Sequence, residues 1–365
     1  MTTETVTTEL GRLIQQRIAL TGPMTLADFM AEALGHPRLG YYRRAMPLGA
    51  AGDFTTAPEI SQMFGELLGA WLAERWQAMG APPSFNLVEL GPGRGVLMAD
   101  ALRATQRVAG FHAALKLHLV EINETLRAEQ AVALGIHEPT WHERLDDVPP
   151  APILLVANEF FDALPVRQFH KSARGWCERM VGLSADGASL QLALAPGVSP
   201  YAAVLPDAPT GAEAEFSQAS VALAAAIGAR VAFDGGWALI VDYGRDEQGP
   251  GTSLQAVRKH RGTDLLDRPG ETDLSAHVDF ATLAGAARGA GAEVFGPTGQ
   301  GDFLRRIGIE RRAEALKART TPQQRQAIDA ALARLIAPDQ MGTLFRVLAL
   351  CDGKSDPPAG FSDSK

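Results

Sequence analysis

The sequence predicts an α/β protein built on a mostly parallel, doubly wound sheet, and three observations carry that prediction. The first is the stretch Asn86-Leu87-Val88-Glu89-Leu90-Gly91-Pro92-Gly93-Arg94-Gly95, an apolar run that ends in an acidic residue and a glycine turn. A helical pattern follows it from Val96 to Arg107. The second is the recurrence of short apolar segments at 85–90, 116–121, 153–157 and 237–241, with helical periodicity between the first three. Such alternation gives parallel strands joined by right-handed crossovers. The third is a late apolar segment, 343–350, placed to close the sheet as a final antiparallel strand.

The elements follow in order. Residues 1–80 read as an N-terminal helical segment, with Leu10, Leu13, Ile14 and Ile18 on one apolar face and Thr25 as the cap of a second helix reaching Leu34. The pattern breaks from Gly35 to Pro58, and residues 49–58 form a lid-like loop, because a connection this long is functional or disordered. A helix over 59–79 carries a core stripe of Ile60, Met63, Phe64, Leu67, Leu68, Trp71 and Leu72. Residues 81–165 hold the first half of the sheet. Residues 166–210 then change period, with alternating stretches at 167–170, 176–181 and 190–194 and a Pro/Ala-rich linker, so an inserted antiparallel meander is expected. Residues 211–350 return to the sheet through a helix at 212–232. They add a Gly/Asp/Arg-rich connection to about 272, a helix at 279–290, a strand at 293–295 and helices at 302–319 and 322–336. The Pro/Gly/Ser-rich residues 351–365 are expected to fray as a flexible tail.

Composition narrows the function. A chain of 365 residues exceeds what one core usually absorbs, and 46% apolar with 21% charged residues is ordinary for a globular protein. A net charge of −8 argues against a broad nucleic-acid footprint, since little would neutralise phosphates over a large face. Cys177 and Cys351 are too few for a disulfide framework or a cysteine-based zinc site, and they fit a reducing compartment. No apolar run is long enough to insert in a membrane. The first ten residues, with two glutamates and no arginine, match neither a secretory signal nor a transit peptide. The expectation is a cytoplasmic protein without a metal.

The glycine turn places a ligand at the end of the first strand, because Gly91, Gly93 and Gly95 let backbone approach it closely. The dinucleotide fingerprint would need a small residue at Val96, and Glu89 would repel a pyrophosphate. S-adenosylmethionine has no phosphate and carries an ammonium and a sulfonium, so Glu89 suits it. Glu121, at the end of the second strand, can accept both ribose hydroxyls or cap the next helix. Trp141 falls where a third strand end meets an adenine, and a structural tryptophan is as good a reading.

The polar string Asn158-Glu159-Phe160-Phe161-Asp162-Ala163-Leu164-Pro165 follows the fourth strand, where the ligand crevice of a doubly wound sheet lies. Its carboxylates could grip a cation, and the plainer alternative is a turn in which Asn158 and Asp162 cap a helix. Asp242-Tyr243-Gly244 ends the fifth strand on the far side of the same crevice, with His277 in a flanking loop. Glycine-serine and P-loop lysine motifs are absent, which lowers the hydrolase and kinase readings.

These segments together resemble the MidA family. The matching strings are 52–65 (Gly52-Asp53-Phe54-x-Thr56-x-Pro58-Glu59-Ile60-Ser61-x-x-Phe64-Gly65), 88–95, 158–165, Asp242-Tyr243-Gly244 and Ala276-His277-Val278-Asp279-Phe280. The resemblance implies the Rossmann-like sheet of class I methyltransferases and S-adenosyl-L-methionine as cofactor. It further implies protein arginine methylation of a subunit of respiratory complex I during assembly, as for the family's mitochondrial members, with this chain a bacterial relative. The expected catalytic residues are Glu159, Asp162 and Asn158; Asp53, Phe54, Glu59, Asp242, Tyr243 and His277 are expected to meet substrate. A fork of carboxylates can hold a guanidinium bidentately and free its near nitrogen to attack. Two alternatives stand beside this reading: a non-catalytic assembly factor that keeps the fold, and a nicotinamide-dependent oxidoreductase.

Overall fold

The central sheet is built outward from the strand that carries the glycine turn. In chain order its strands are β1 (Phe85–Leu90), β2 (Leu115–Val120), β3 (Thr140–His142), β4 (Ile153–Asn158), β5 (Gly236–Arg245), β6 (Glu293–Gly299) and β7 (Phe345–Cys351). In space they lie in the order β6-β7-β5-β4-β1-β2-β3. β1 to β5 run parallel, and β7 is antiparallel to both β5 and β6. This is the Rossmann-like sheet that the sequence predicts. The computed structural model describes residues 7–44, 56–247, 249–354 and 356–361.

Every residue of β1 and β4 is buried, as expected of parallel strands covered on both faces. One face is covered by α3 (Gln62–Ala78) and α4 (Val96–Thr105), through Phe64, Leu68, Trp71, Leu97 and Met98 among others. The other is covered by α6 (Gln218–Asp234) and α7 (Phe280–Gly289), through Ile227, Val231, Phe280 and Leu283. Between β2 and β3 runs α5 (Glu124–Leu134), capped by Asn123. Ahead of these, α1 (Glu9–Thr21) and α2 (Leu26–Gly35) make their own apolar cluster with Val166 and Val181 of the inserted region. Thr25 caps α2 by accepting from Asp28 N at 3.0 Å.

Four expectations need correction. The helix expected over 59–79 is two helices, Ala57–Ile60 and α3, because Ser61 adopts an extended conformation (φ −162°) and caps α3 by accepting from Met63 N at 3.2 Å. The helix expected from 212 begins at Gln218, since Glu213–Phe216 alternates and pairs as a strand with Arg167 to His170. The connection after β5 contains a three-stranded sheet of Gln255–Arg258, Arg261–Thr263 and Asp273–Ser275. In the tail, residues 356–361 are not frayed: Phe361 packs against Phe303 with ring centroids 5.4 Å apart, and Trp71 Nε1 donates to Ala359 O at 2.9 Å. Burial of one aromatic ring outweighs the local preference of a Pro/Gly-rich segment. Antiparallel pairing in the inserted region joins Arg167–Ser172, Gly175–Leu183 and Leu190–Leu194, and Met24–Thr25 adds to it from the N-terminal segment. Asp53 and Phe54 lie outside the described residues, as does most of the 49–58 loop.

α3 and α4 approach so closely that a Cβ on Gly69 would lie 2.5 Å from Ala101 Cα. Gly69→Ala should therefore destabilise the protein by about 1–3 kcal/mol through overpacking. Urea unfolding measures this, and an unchanged midpoint would contradict the packing.

Candidate functional site

The carboxyl ends of β1, β2 and β4 surround a cavity of about 420 Å³. Its floor is the glycine turn, where Gly91 and Gly93 take positive φ (61° and 54°). Gly95, also at positive φ, does not line the cavity and serves instead as the N-cap of α4. The walls are Glu89, Glu121, Asn158, Glu159 and Phe160. Met30, Ala31, Leu34 and Gly35 of α2 and Tyr42 close it from the N-terminal segment, with Glu59 on the rim. Sequence-expected residues from four separate stretches thus meet in one volume.

Burial dominates the electrostatics of that volume. Glu89 is 3% exposed, and burial, aided by the charge of Glu121, pushes its carboxyl up to about 8. Its Oε2 has no hydrogen-bond partner among the described residues, and neither does Asn158 Oδ1. Glu121 is also raised by burial, although Asn123 N (2.8 Å) and Gln130 Nε2 (3.3 Å) donate to it. Glu159 is pushed up to about 7, chiefly by burial; its Oε1 accepts from Ala57 N (2.9 Å) and Asn158 Nδ2 (3.2 Å), which pull the other way. Glu159 also holds φ +49°, an uncommon conformation for a residue with a Cβ, and such outliers concentrate at functional sites.

Other expected residues stand behind the cavity. Asp162 points to Tyr243, whose hydroxyl it shares with Ser275; burial raises Asp162 to about 6, and it does not line the cavity. Asp242 is fully buried, and its oxygens accept from the backbone N–H groups of Phe160, Phe161, Asp162 and Tyr243. Burial and the charges of Asp162 and Glu159 raise its carboxyl, against the pull of those donors. His277 is exposed, stacks edge-on to Tyr243 at 5.3 Å and lines a separate small pocket. Trp141 does not line the cavity either: its Nε1 donates to Gln130 Oε1 at 2.8 Å. The short β3 places the indole against α5, which accords with the structural one of its two readings.

Gln130 is one residue that the sequence reading missed. It is fully buried on α5, and its Nε2 donates to Gly93 O at 2.6 Å as well as to Glu121. One amide therefore ties the glycine turn, the β2 carboxylate and Trp141 together. A signal existed: Leu126, Gln130 and Leu134 share one face at i+4 spacing, and an amide inside an apolar stripe needs partners. Phe160 was also missed; its ring abuts Gly91, where a Cβ would lie 2.6 Å from Cδ2.

S-adenosylmethionine fits these residues. An unpartnered, buried Glu89 oxygen suits a cationic ammonium, and the turn leaves room for backbone contact without side chains in the way. Comparison with known proteins agrees. Murine "Protein arginine methyltransferase NDUFAF7, mitochondrial" is 37% identical over 372 residues, covering 94% of this chain and 84% of the relative. The human protein of that name is 36% identical, with 95% and 84% covered. A crystal structure of a Burkholderia thailandensis protein bound to S-adenosyl-homocysteine superposes with a TM-score of 0.82 at 30% identity, covering 96% of this chain and 93% of that one.

Fold and site together define a class I methyltransferase that uses S-adenosylmethionine. Residues 67–298 match the family described as "Putative S-adenosyl-L-methionine-dependent methyltransferase", and the chain belongs to it. A nicotinamide oxidoreductase is thereby set aside. No helix among the described residues is long and apolar enough to cross a membrane, and no cluster of three or more His, Cys, Asp or Glu among them is placed to hold a metal.

The raised carboxyls give a pH prediction. A raised acid contributes stability below its unfolded value, near 4.5, and loses it as pH rises through the folded value, about 8 for Glu89 and about 7 for Glu159. A cationic ligand that holds Glu89 ionised reverses this loss. The rise in melting temperature caused by S-adenosylmethionine should therefore grow between pH 6 and pH 8.5 and flatten in Glu89→Gln. A ligand-induced rise independent of pH in the parent would remove Glu89 from the ammonium's neighbourhood.

Proposed function

We propose that the protein methylates an arginine of a protein substrate, with Glu159 orienting the guanidinium. The observation that carries this reading is the placement of Glu159 in the cavity wall, half-buried, strained and raised to about 7. A carboxylate held this way is stabilised by a permanent cation, and the arginine guanidinium stays charged at every physiological pH. Ala57 N and Asn158 Nδ2 both occupy Oε1, which leaves Oε2 to accept from the incoming N–H groups. The names of the relatives support the acceptor type.

On this reading Glu89 takes the ammonium of the cofactor, Glu121 its ribose hydroxyls, and the Gly91–Gly95 turn its backbone contacts. Gln130 holds that set in place. When bound, S-adenosylmethionine supplies an electrophilic methyl group. The protein's part is to place the acceptor nitrogen in line and exclude water, which α2 and Tyr42 favour by covering the cavity. Asp162 acts through Tyr243, and His277 and Tyr243 serve the substrate side from outside the cavity. Asp53 and Phe54, which lie outside the described residues, are assigned to the substrate by the family resemblance alone. We place the substrate among the subunits of respiratory complex I, following the family resemblance, and the reaction in a bacterial cytoplasm, where two buried free cysteines stay reduced.

Glu159→Gln keeps shape and removes charge. Transfer to an arginine peptide should fall about 100-fold or more, the scale of losing a transition-state electrostatic contact, while cofactor affinity stays within a few-fold. In the parent, kcat/KM should rise with pH through about 7 as Glu159 ionises, and the variant should lose that limb. A lysine peptide should not replace the arginine one. Full transfer by Glu159→Gln would refute the assignment.

A further inference from the structure

The geometry points to Asp242 as a positioning residue that fixes the turn bearing Glu159 against the glycine turn. Asp242 ends the core of β5, has no exposed surface and does not line the cavity. Its Oδ2 accepts from three consecutive amides, Phe160 N at 3.1 Å, Phe161 N at 2.9 Å and Asp162 N at 3.3 Å. Its Oδ1 accepts from Tyr243 N at 2.9 Å. Three successive N–H groups converge on one point only when the chain turns tightly, and the left-handed φ of Glu159 starts that turn. Glu159 N itself donates to Val241 O at 2.9 Å, so the residue before Asp242 anchors the same segment.

The chain of contacts then reaches the cofactor turn. Phe160, whose N–H is held by Asp242, sets its ring against Gly91, closer than any Cβ there could allow. Asp242 therefore fixes where Phe160 sits, and Phe160 spaces the Glu159 carboxylate from the glycine turn. Only an aspartate offers two acceptor oxygens at this reach. Asparagine keeps one acceptor and turns an N–H towards a donor, whereas alanine leaves four backbone N–H groups, one buried and three part-buried, unmatched. The inference rests on the reading of Glu159 as the acceptor-binding residue, but the turn it describes can be tested apart from that reading.

The test compares the full-length parent with Asp242→Asn and Asp242→Ala in three measurements. Hydrogen exchange should show the amides of Phe160, Phe161 and Asp162 opening at least tenfold faster in Asp242→Ala, and less so in Asp242→Asn, with β1 and β2 protected as in the parent. Calorimetry with S-adenosylmethionine should give dissociation constants within about threefold of the parent for Asp242→Asn. Kinetics on an arginine peptide should show kcat falling by tenfold or more while the cofactor KM holds, with partial recovery from alanine to asparagine. Unchanged exchange at the three amides would overturn the inference. So would a loss of cofactor affinity in step with kcat in Asp242→Asn, which marks a general structural role. If the parent fails to methylate arginine, the proposed acceptor is wrong, and the exchange measurement still decides whether Asp242 holds the turn.

Discussion

Everything at this site depends on holding acidic groups, buried or half-buried, beside one another at the strand ends. Glu89 from β1, Glu121 after β2, Glu159 and Asp162 after β4, and Asp242 in β5 are all raised by burial. At about 1.4 kcal/mol per pKa unit, ionising Glu89 from 4.5 against a value of about 8 costs roughly 5 kcal/mol. A protein does not retain such a group for stability. A positive ligand beside these carboxylates would offset that cost. A methyl donor with ammonium and sulfonium charges and a guanidinium acceptor both answer that constraint.

The surrounding architecture divides the labour of holding these carboxylates. Donors from backbone and amide side chains satisfy some oxygens fully, as at Asp242, and others in part, as at Glu121. Among the described residues Glu89 Oε2 and Asn158 Oδ1 have no partner, and both residues line the cavity. The division separates groups that hold the site's backbone and side chains from groups that face the cavity with an open acceptor. Gln130 belongs to the first kind: one buried amide links Gly93, Glu121 and Trp141.

The N-terminal segment contributes more than stability. Thr25 continues from a strand paired with Val181 and Met180 of the inserted region directly into the cap of α2, whose residues roof the cavity. Arg43 donates to Ile122 O, and Asn123 Nδ2 donates to Tyr42 O at 2.7 Å, so this roof is clasped to the loop after β2. The inserted sheet and the N-terminal helices thus form one buttress on the cofactor side of the methyltransferase core.

The sequence by itself determined the sheet, the glycine turn and the acidic strand ends. Each is a local pattern: apolar runs of fixed length, glycines where a Cβ would intrude, and polar residues placed abruptly after buried strands. Glu89, Glu121, Asn158 and Glu159 were legible for that reason. Only the tertiary structure decided which carboxylates face the cavity. Asp162 lies three residues beyond Glu159 and turns away to Tyr243, because Asp242, about 80 residues later in the chain, gathers the intervening amides. The role of Gln130, the strand at Glu213–Phe216 and the seat of Phe361 also escaped the sequence. Each rests on a partner far away in the chain, and a one-dimensional pattern carries no information about which distant donor a buried polar group will meet.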